Sequence, residues 1–110
     1  MNDIQNCTVT NTTDDNENPT GGQVVGVGLE ITWQDGPLGG ENQEAPNGAF
    51  VETVISAALQ RIEFYQAASG GKFSCAENDL AIQHLGMALD ALNNRTKERE
   101  ARQVEGTHTA

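Results

Sequence analysis

The chain has 110 residues, 36% of them apolar and only five aromatic (three Phe, one Tyr, one Trp), so it makes one domain that buries little core by itself and oligomerisation is expected. A formal charge of −10 disfavours duplex DNA or RNA as a partner, because nucleic-acid binding depends on neutralising many phosphates with Lys and Arg. No stretch approaches the roughly 18 apolar residues of a membrane span, and the N-terminus lacks the basic and apolar segments of a secretory signal; the sequence reads as a soluble cytosolic protein with no membrane partner.

Residues 1–22, rich in Asn, Thr and Asp, show almost no apolar periodicity and predict a disordered or loosely attached arm. Residues 23–108 form the single folded domain. From Gln23 to Gln34 the sequence alternates, with Val25, Val27, Leu29, Ile31 and Trp33 on one side, as in a half-buried strand. Gly26 and Gly28 lie on the opposite face, where they either weaken the strand or permit a bulge or a close neighbouring backbone, and a break near them could divide the segment into two short strands. Asp35-Gly36-Pro37 signals a turn, followed by a polar, glycine-rich loop from Leu38 to Ala45. A sheet this small needs helices or a second copy to pack on.

Pro46-Asn47-Gly48 ends this β region, with Asn47 a plausible N-cap. Val51, Ile55, Ala58, Ile62 and Tyr65 then recur at helical spacing, which predicts a first helix from about Gly48 to Ala68. Ser69-Gly70-Gly71 stops it, and the short connection makes the next helix its antiparallel neighbour. Ser74-Cys75-Ala76-Glu77 fits a capping box, with Ser74 bonding the Glu77 amide and Glu77 reaching back. Ala81, Leu85, Ala88 and Leu92 carry the second helix on to about Arg99 or Arg102. The expected fold is α+β: a small N-terminal antiparallel β-sheet and loop (23–46), a long antiparallel two-helix hairpin (47–102) and a tail (103–110), assembled into an oligomer. Cys7 and Cys75 lie in unrelated contexts and read as two reduced thiols.

Charge distribution is more informative than its sum. Residues 1–60 hold nine acidic side chains and no Lys or Arg, whereas four of the six basic residues (Arg95, Lys97, Arg99, Arg102) fall within eight positions. A small anion can bind such a cluster, whose field acts over a Debye length of about 8 to 10 Å. Arg95 and Arg99, four residues apart, share a helical face and can converge on one phosphate with paired hydrogen bonds. The same spacing also describes a solvated helix end in which Glu98 and Arg102 form a surface pair. Phe73 either fills the core or stacks on a base beside the amides of the second helix. Asn78 is either a surface polar residue or a donor and acceptor for a nucleobase edge or a ribose hydroxyl.

His84 and His108 have no partner at metal or catalytic spacing, so no metal site is expected. Neither a phosphate-binding loop nor a nucleophile motif nor a paired-carboxylate arrangement is present. Catalysis is disfavoured, and no cofactor is implied.

Three segments occur in one order: RIEFYQ (Arg61 to Gln66), FSCAENDLAI (Phe73 to Ile82) and NRTKEREARQVEGTH (Asn94 to His108). They resemble the helical hairpin shared by phage anti-defence sponges. That hairpin occurs in the type-one Thoeris anti-defence family and in the smaller anti-CBASS cyclic-nucleotide sponges, which lack the preceding strand region. GLEITWQDGPLG (Gly28 to Gly39) and PNGAFVE (Pro46 to Glu52) look like the Thoeris branch.

The resemblance implies a non-enzymatic protein in the cytoplasm of the infected host. It would bind a cyclic nucleotide signal, in this branch a cyclic ADP-ribose isomer, and keep it from the defence effector. It also implies a homo-oligomer, a dimer or hexamer, with pockets at subunit contacts. Phe73 would line the pocket, Asn78 would hydrogen-bond the ligand, and Arg95 and Arg99 would bind the diphosphate. Larger cyclic oligonucleotides would occupy a second site formed by Arg99, Arg102, Val104, Gly106 and Thr107. Three positions depart from the pattern: Ala76 stands where relatives often have arginine, Gln103 where they usually have glycine, and Gly86 interrupts the second helix. An alternative without any small ligand is a helical hairpin that docks on a protein partner.

Overall fold

In the computed structural model, residues 3–36 and 46–109 are described, apart from the side chains of 3, 99, 100 and 102–109. They fall into two units, Met1–Val51 and Glu52–Ala110. The first is a three-stranded antiparallel sheet, and the second is a pair of helices. A single 3-10 turn, Asp3–Gln5, precedes the sheet.

The sheet begins earlier than the sequence pattern indicates. Cys7–Thr13, within the segment expected to be a loose arm, is strand β1, and it pairs with β2 (Pro19–Gly26). The reason is local chemistry that apolar periodicity overlooks. Thr8, Thr10, Thr12 and Thr13 are β-branched and favour extended backbone. Asp14 then builds the reversal: one oxygen of its carboxylate accepts the amides of Asn16 at 2.9 Å and Asn18 at 3.0 Å. The Asn18 amide is the main reason that the Asp14 carboxyl titrates below its ordinary value. Every residue of β1 is exposed, so backbone pairing and turn chemistry define this strand in the absence of burial.

Strand β3 (Leu29–Thr32) pairs with β2 across a two-residue turn at Val27-Gly28, where Gly28 adopts φ +71°. The break expected near the glycines is therefore present, and it changes which side chains share a face. Val24 lies opposite both Val9 and Ile31, whereas Val25 lies opposite Thr8 and Glu30. One face thus carries Val9, Val24, Leu29 and Ile31, and the other carries Thr8, Thr10, Gln23, Val25, Glu30 and Thr32. Val25 and Val27 do not join Leu29, Ile31 and Trp33 as a continuous strand would require. A tight reversal shifts the pairing by one residue and moves Val25 to the polar face; Val27, at the tip, is 72% exposed.

Beyond β3 the chain is clasped to the segment 47–49. The Ala49 amide donates to the Thr32 carbonyl at 2.7 Å, and the Gln34 amide donates to the Ala49 carbonyl at 2.8 Å. Asn47 does not cap a helix. Its side chain receives the Asp35 amide at 2.8 Å and donates to the Asp35 carbonyl at 2.9 Å, so it acts as a sheet partner for one residue. The Gln34 side chain in turn accepts the amides of Asn47 and Gly48 at 2.9 and 3.1 Å. Pro37 and the loop from Leu38 to Ala45 lie outside the described residues.

Helix α1 (Val51–Gly71) starts three residues after Gly48 and keeps helical dihedrals to Ala67. Ser69, Gly70 and Gly71 then take φ values of +53°, +69° and +88°, which ends the helix where the glycine pair predicts. Helix α2 (Ala76–Thr109) runs for 34 residues, about 50 Å. Its backbone stays helical through residues 103–109, the expected tail. Lys97 to Gln103 supplies Lys, Glu, Arg, Ala and Gln, all good helix formers, and no proline follows them.

The hairpin is antiparallel. Near its turn, Gln66 of α1 bonds Asp79 of α2, and at the other end Glu52, Thr53 and Ser56 face Leu89 and Asn93 across a cleft of about 320 Å³. The less exposed positions recur as Ile55, Leu59, Ile62 and Gln66 on α1, and as Asn78, Ala81, Leu85, Leu89 and Leu92 on α2. These are the facing stripes. Even so, no side chain among the described residues is fully buried, and Phe64, Leu80 and Met87 are more than half exposed.

Gly86 sits on the facing side of α2, yet a methyl group added there meets nothing within 4 Å. Gly86→Ala is expected to stabilise the hairpin by about 0.5 to 1 kcal/mol, because alanine loses less backbone entropy on helix formation. A higher urea midpoint with an unchanged slope checks this. A lower midpoint would mean that another chain occupies the space.

Candidate functional site

The residues singled out in the sequence gather around the α1–α2 turn and along the C-terminal half of α2. At the turn the helix start is built differently from the capping box. The Ser74 hydroxyl donates backward to the Gly71 carbonyl at 2.8 Å, and the Ser74 amide bonds the same oxygen at 3.1 Å. Both groups are consumed by the turn. Capping passes one residue on: the Cys75 carbonyl accepts the Asp79 amide at 3.2 Å, and the Cys75 sulfur receives the Asn78 amide at 3.4 Å.

The missing part of the cap comes from α1. Gln66 Oε1 accepts the Cys75 amide at 3.0 Å, while Gln66 Nε2 donates to the Cys75 carbonyl at 3.0 Å and to Asp79 Oδ1 at 2.6 Å. The same Oε1 receives Asn78 Nδ2 at 3.2 Å. One glutamine therefore fastens the two helices and holds Asn78. The signal for it was present in the sequence as a polar residue on the apolar stripe Ile55, Leu59, Ile62, Gln66, one turn before the helix stop.

Phe73 is 58% exposed with the Lys72 ammonium 5.7 Å from its ring centroid. It does not fill the core of this chain. Asn78, five residues on and within the first turn of α2, is half-buried. A further aromatic group lies on α1. The Arg61 guanidinium lies 5.2 and 5.0 Å from the ring centroids of Phe64 and Tyr65, and its Nε donates to the Tyr65 hydroxyl at 3.1 Å.

Arg95 is exposed on α2. Thr96 beside it bonds back to the Leu92 carbonyl at 3.2 Å. Asn78 and Arg95 are seventeen residues apart on one helix, about 25 Å along its axis. Within one chain the two groups are not brought together. The side chains of Arg99, Arg102, Val104, Gly106 and Thr107 lie outside the described residues, although their backbone belongs to α2.

Among the described residues no helix is long and apolar enough to cross a membrane. No family model matches the chain. A curated relative does: the protein named Thoeris anti-defense 1 from Bacillus phage SBSphiJ7 is 42% identical over 78 residues. The chain belongs to the Thoeris anti-defence family. The alignment takes in 71% of this chain and 51% of the relative, so the chain spans about half the length of that Thoeris protein. Membership in the Thoeris family agrees with the resemblance carried by the hairpin segments.

Proposed function

We propose that this phage Thoeris anti-defence protein binds the cyclic ADP-ribose isomer that signals infection and sequesters it intact in the host cytoplasm. The observation that carries the reading is an exposed aromatic ring, Phe73, three residues before the helix whose first turn holds the half-buried amide of Asn78. The ring offers a stacking surface for adenine and the amide offers a hydrogen bond. Arg95 and Arg99, on one face of α2, would hold the diphosphate. The Ser74 hydroxyl is bonded to the Gly71 carbonyl and the Asp79 carboxylate to Gln66, which favours holding the signal over degrading it.

The 25 Å between the two groups and the lack of any fully buried side chain among the described residues both support a pocket completed by a second copy, in a dimer or a hexamer. Cyclic di- or trinucleotides of CBASS would bind through Arg99, Arg102, Val104, Gly106 and Thr107. A protein-docking hairpin is the alternative, favoured by exposed Phe64, Leu80 and Met87.

Melting curves separate the two. A ligand that binds only the native state must raise the melting temperature in proportion to the logarithm of its concentration. The protein is expected to show that rise with a cyclic ADP-ribose isomer. No rise with any cyclic nucleotide would leave the protein-docking reading in its place.

A further inference from the structure

The amide of Asn78 has a defined orientation, and that orientation carries chemical information. Gln66 is flanked by partners whose roles are unambiguous. The Cys75 amide can only donate, so the atom facing it is Oε1; the Cys75 carbonyl and the Asp79 carboxylate accept, so the atom facing them is Nε2. With Oε1 thus fixed, the Asn78 atom 3.2 Å from it must be the donor Nδ2. Turning Asn78 over would set two carbonyl oxygens against each other. One N–H of Asn78 Nδ2 is engaged within the hairpin, which keeps the amide from turning over and holds Oδ1 in a set place as the acceptor offered to a ligand.

We propose that Gln66 is a positioning residue that makes Asn78 an acceptor, so that the site selects a base bearing an exocyclic amine over one bearing a carbonyl at the same position. The inference rests on the sponge reading above and sharpens it. A free asparagine can satisfy either partner by rotating its amide, and it discriminates little. A clamped one leaves a carbonyl-bearing base with two acceptors facing each other. Selectivity then arises from a residue on the neighbouring helix that need not touch the ligand.

The test uses the full chain and two probes: a cyclic ADP-ribose isomer with a free adenine amine, and its hypoxanthine counterpart, in which a carbonyl replaces that amine. Titration calorimetry on the wild type is expected to favour adenine by about tenfold. In Gln66→Met, which keeps the length of the side chain and removes its amide, the preference should fall toward unity while the adenine probe still binds. Side-chain amide exchange by NMR gives a ligand-free readout: the Asn78 NH2 protons should be protected in the wild type and exchange faster in the variant.

Equal affinity of the wild type for both probes would overturn the inference and leave the sponge reading intact, as would an undiminished preference in a folded Gln66→Met. Binding of neither probe would overturn the sponge reading and this inference with it. Should Gln66→Met fail to fold, the two wild-type affinities and the wild-type exchange rates decide the matter.

Discussion

Gly48→Ala is expected to destabilise the sheet unit by about 3 kcal/mol, a severe effect for adding one methyl group. A Cβ at Gly48 would lie 2.4 Å from the Trp33 carbonyl oxygen, 2.5 Å from its carbon and 2.6 Å from the Thr32 carbonyl oxygen. All three are backbone atoms, so no rotamer change relieves the clash. Relief requires Gly48 to move away from Thr32 and Trp33, which breaks the bond from Ala49 to Thr32 and the bond from Gly48 to Gln34. Trp33 is the single tryptophan of the chain, so urea unfolding followed by its fluorescence reports directly on this clasp. A midpoint within error of the wild type would mean that the segment 47–49 does not lie against β3.

The second large effect concerns ligand affinity. Arg95→Ala and Arg99→Ala should each weaken binding of a cyclic ADP-ribose isomer by about tenfold or more, because charge-assisted hydrogen bonds to phosphate contribute about 1.5 to 3 kcal/mol each. Arg95 is exposed, so its removal should leave the melting temperature of the free protein nearly unchanged. That separates a binding defect from a folding defect. Lysine at either position should restore only part of the affinity, since an ammonium lacks the planar fork that pairs with two phosphate oxygens. Wild-type affinity in both alanine variants would put the diphosphate elsewhere.

The helices were legible in the sequence because their signals are local and redundant. A stripe from Val51 to Tyr65, a glycine pair at 70 and 71 and a second stripe from Ala81 to Leu92 all agree, and the structure has a helix, a stop and a helix at those places. The sheet was half legible. Gly26 and Gly28 mark the break, but the position of the reversal, Val27-Gly28, decides which valine faces which way, and alternation alone does not contain it. Strand β1 was missed because it is a threonine strand with no buried residue, defined by pairing with β2 and by the Asp14 turn.

Capping signals failed in one consistent way. Asn47 and Ser74 are both sound N-cap residues by type, and both spend their side chains on a nearer partner: Asn47 on the backbone of Asp35, Ser74 on the carbonyl of Gly71. Residue type identifies a side chain able to satisfy a backbone group; which group it satisfies depends on a fold that brings residue 47 to residue 35. Gln66 escaped for the same reason, as its four partners lie nine to thirteen positions away. Of the candidate site, Phe73 and Asn78 are marked in the sequence by their place at a helix start and Arg95 by charge clustering. The device that orients Asn78 was not.

The most direct test of sequestration is recovery of the signal. Purified protein is saturated with a cyclic ADP-ribose isomer, freed of excess by desalting and heated past its melting point, and the released small molecule is weighed by mass spectrometry. Sequestration predicts recovery of the same mass in near-stoichiometric amount. Recovery of a hydrolysed product, or of no nucleotide at all, would contradict it.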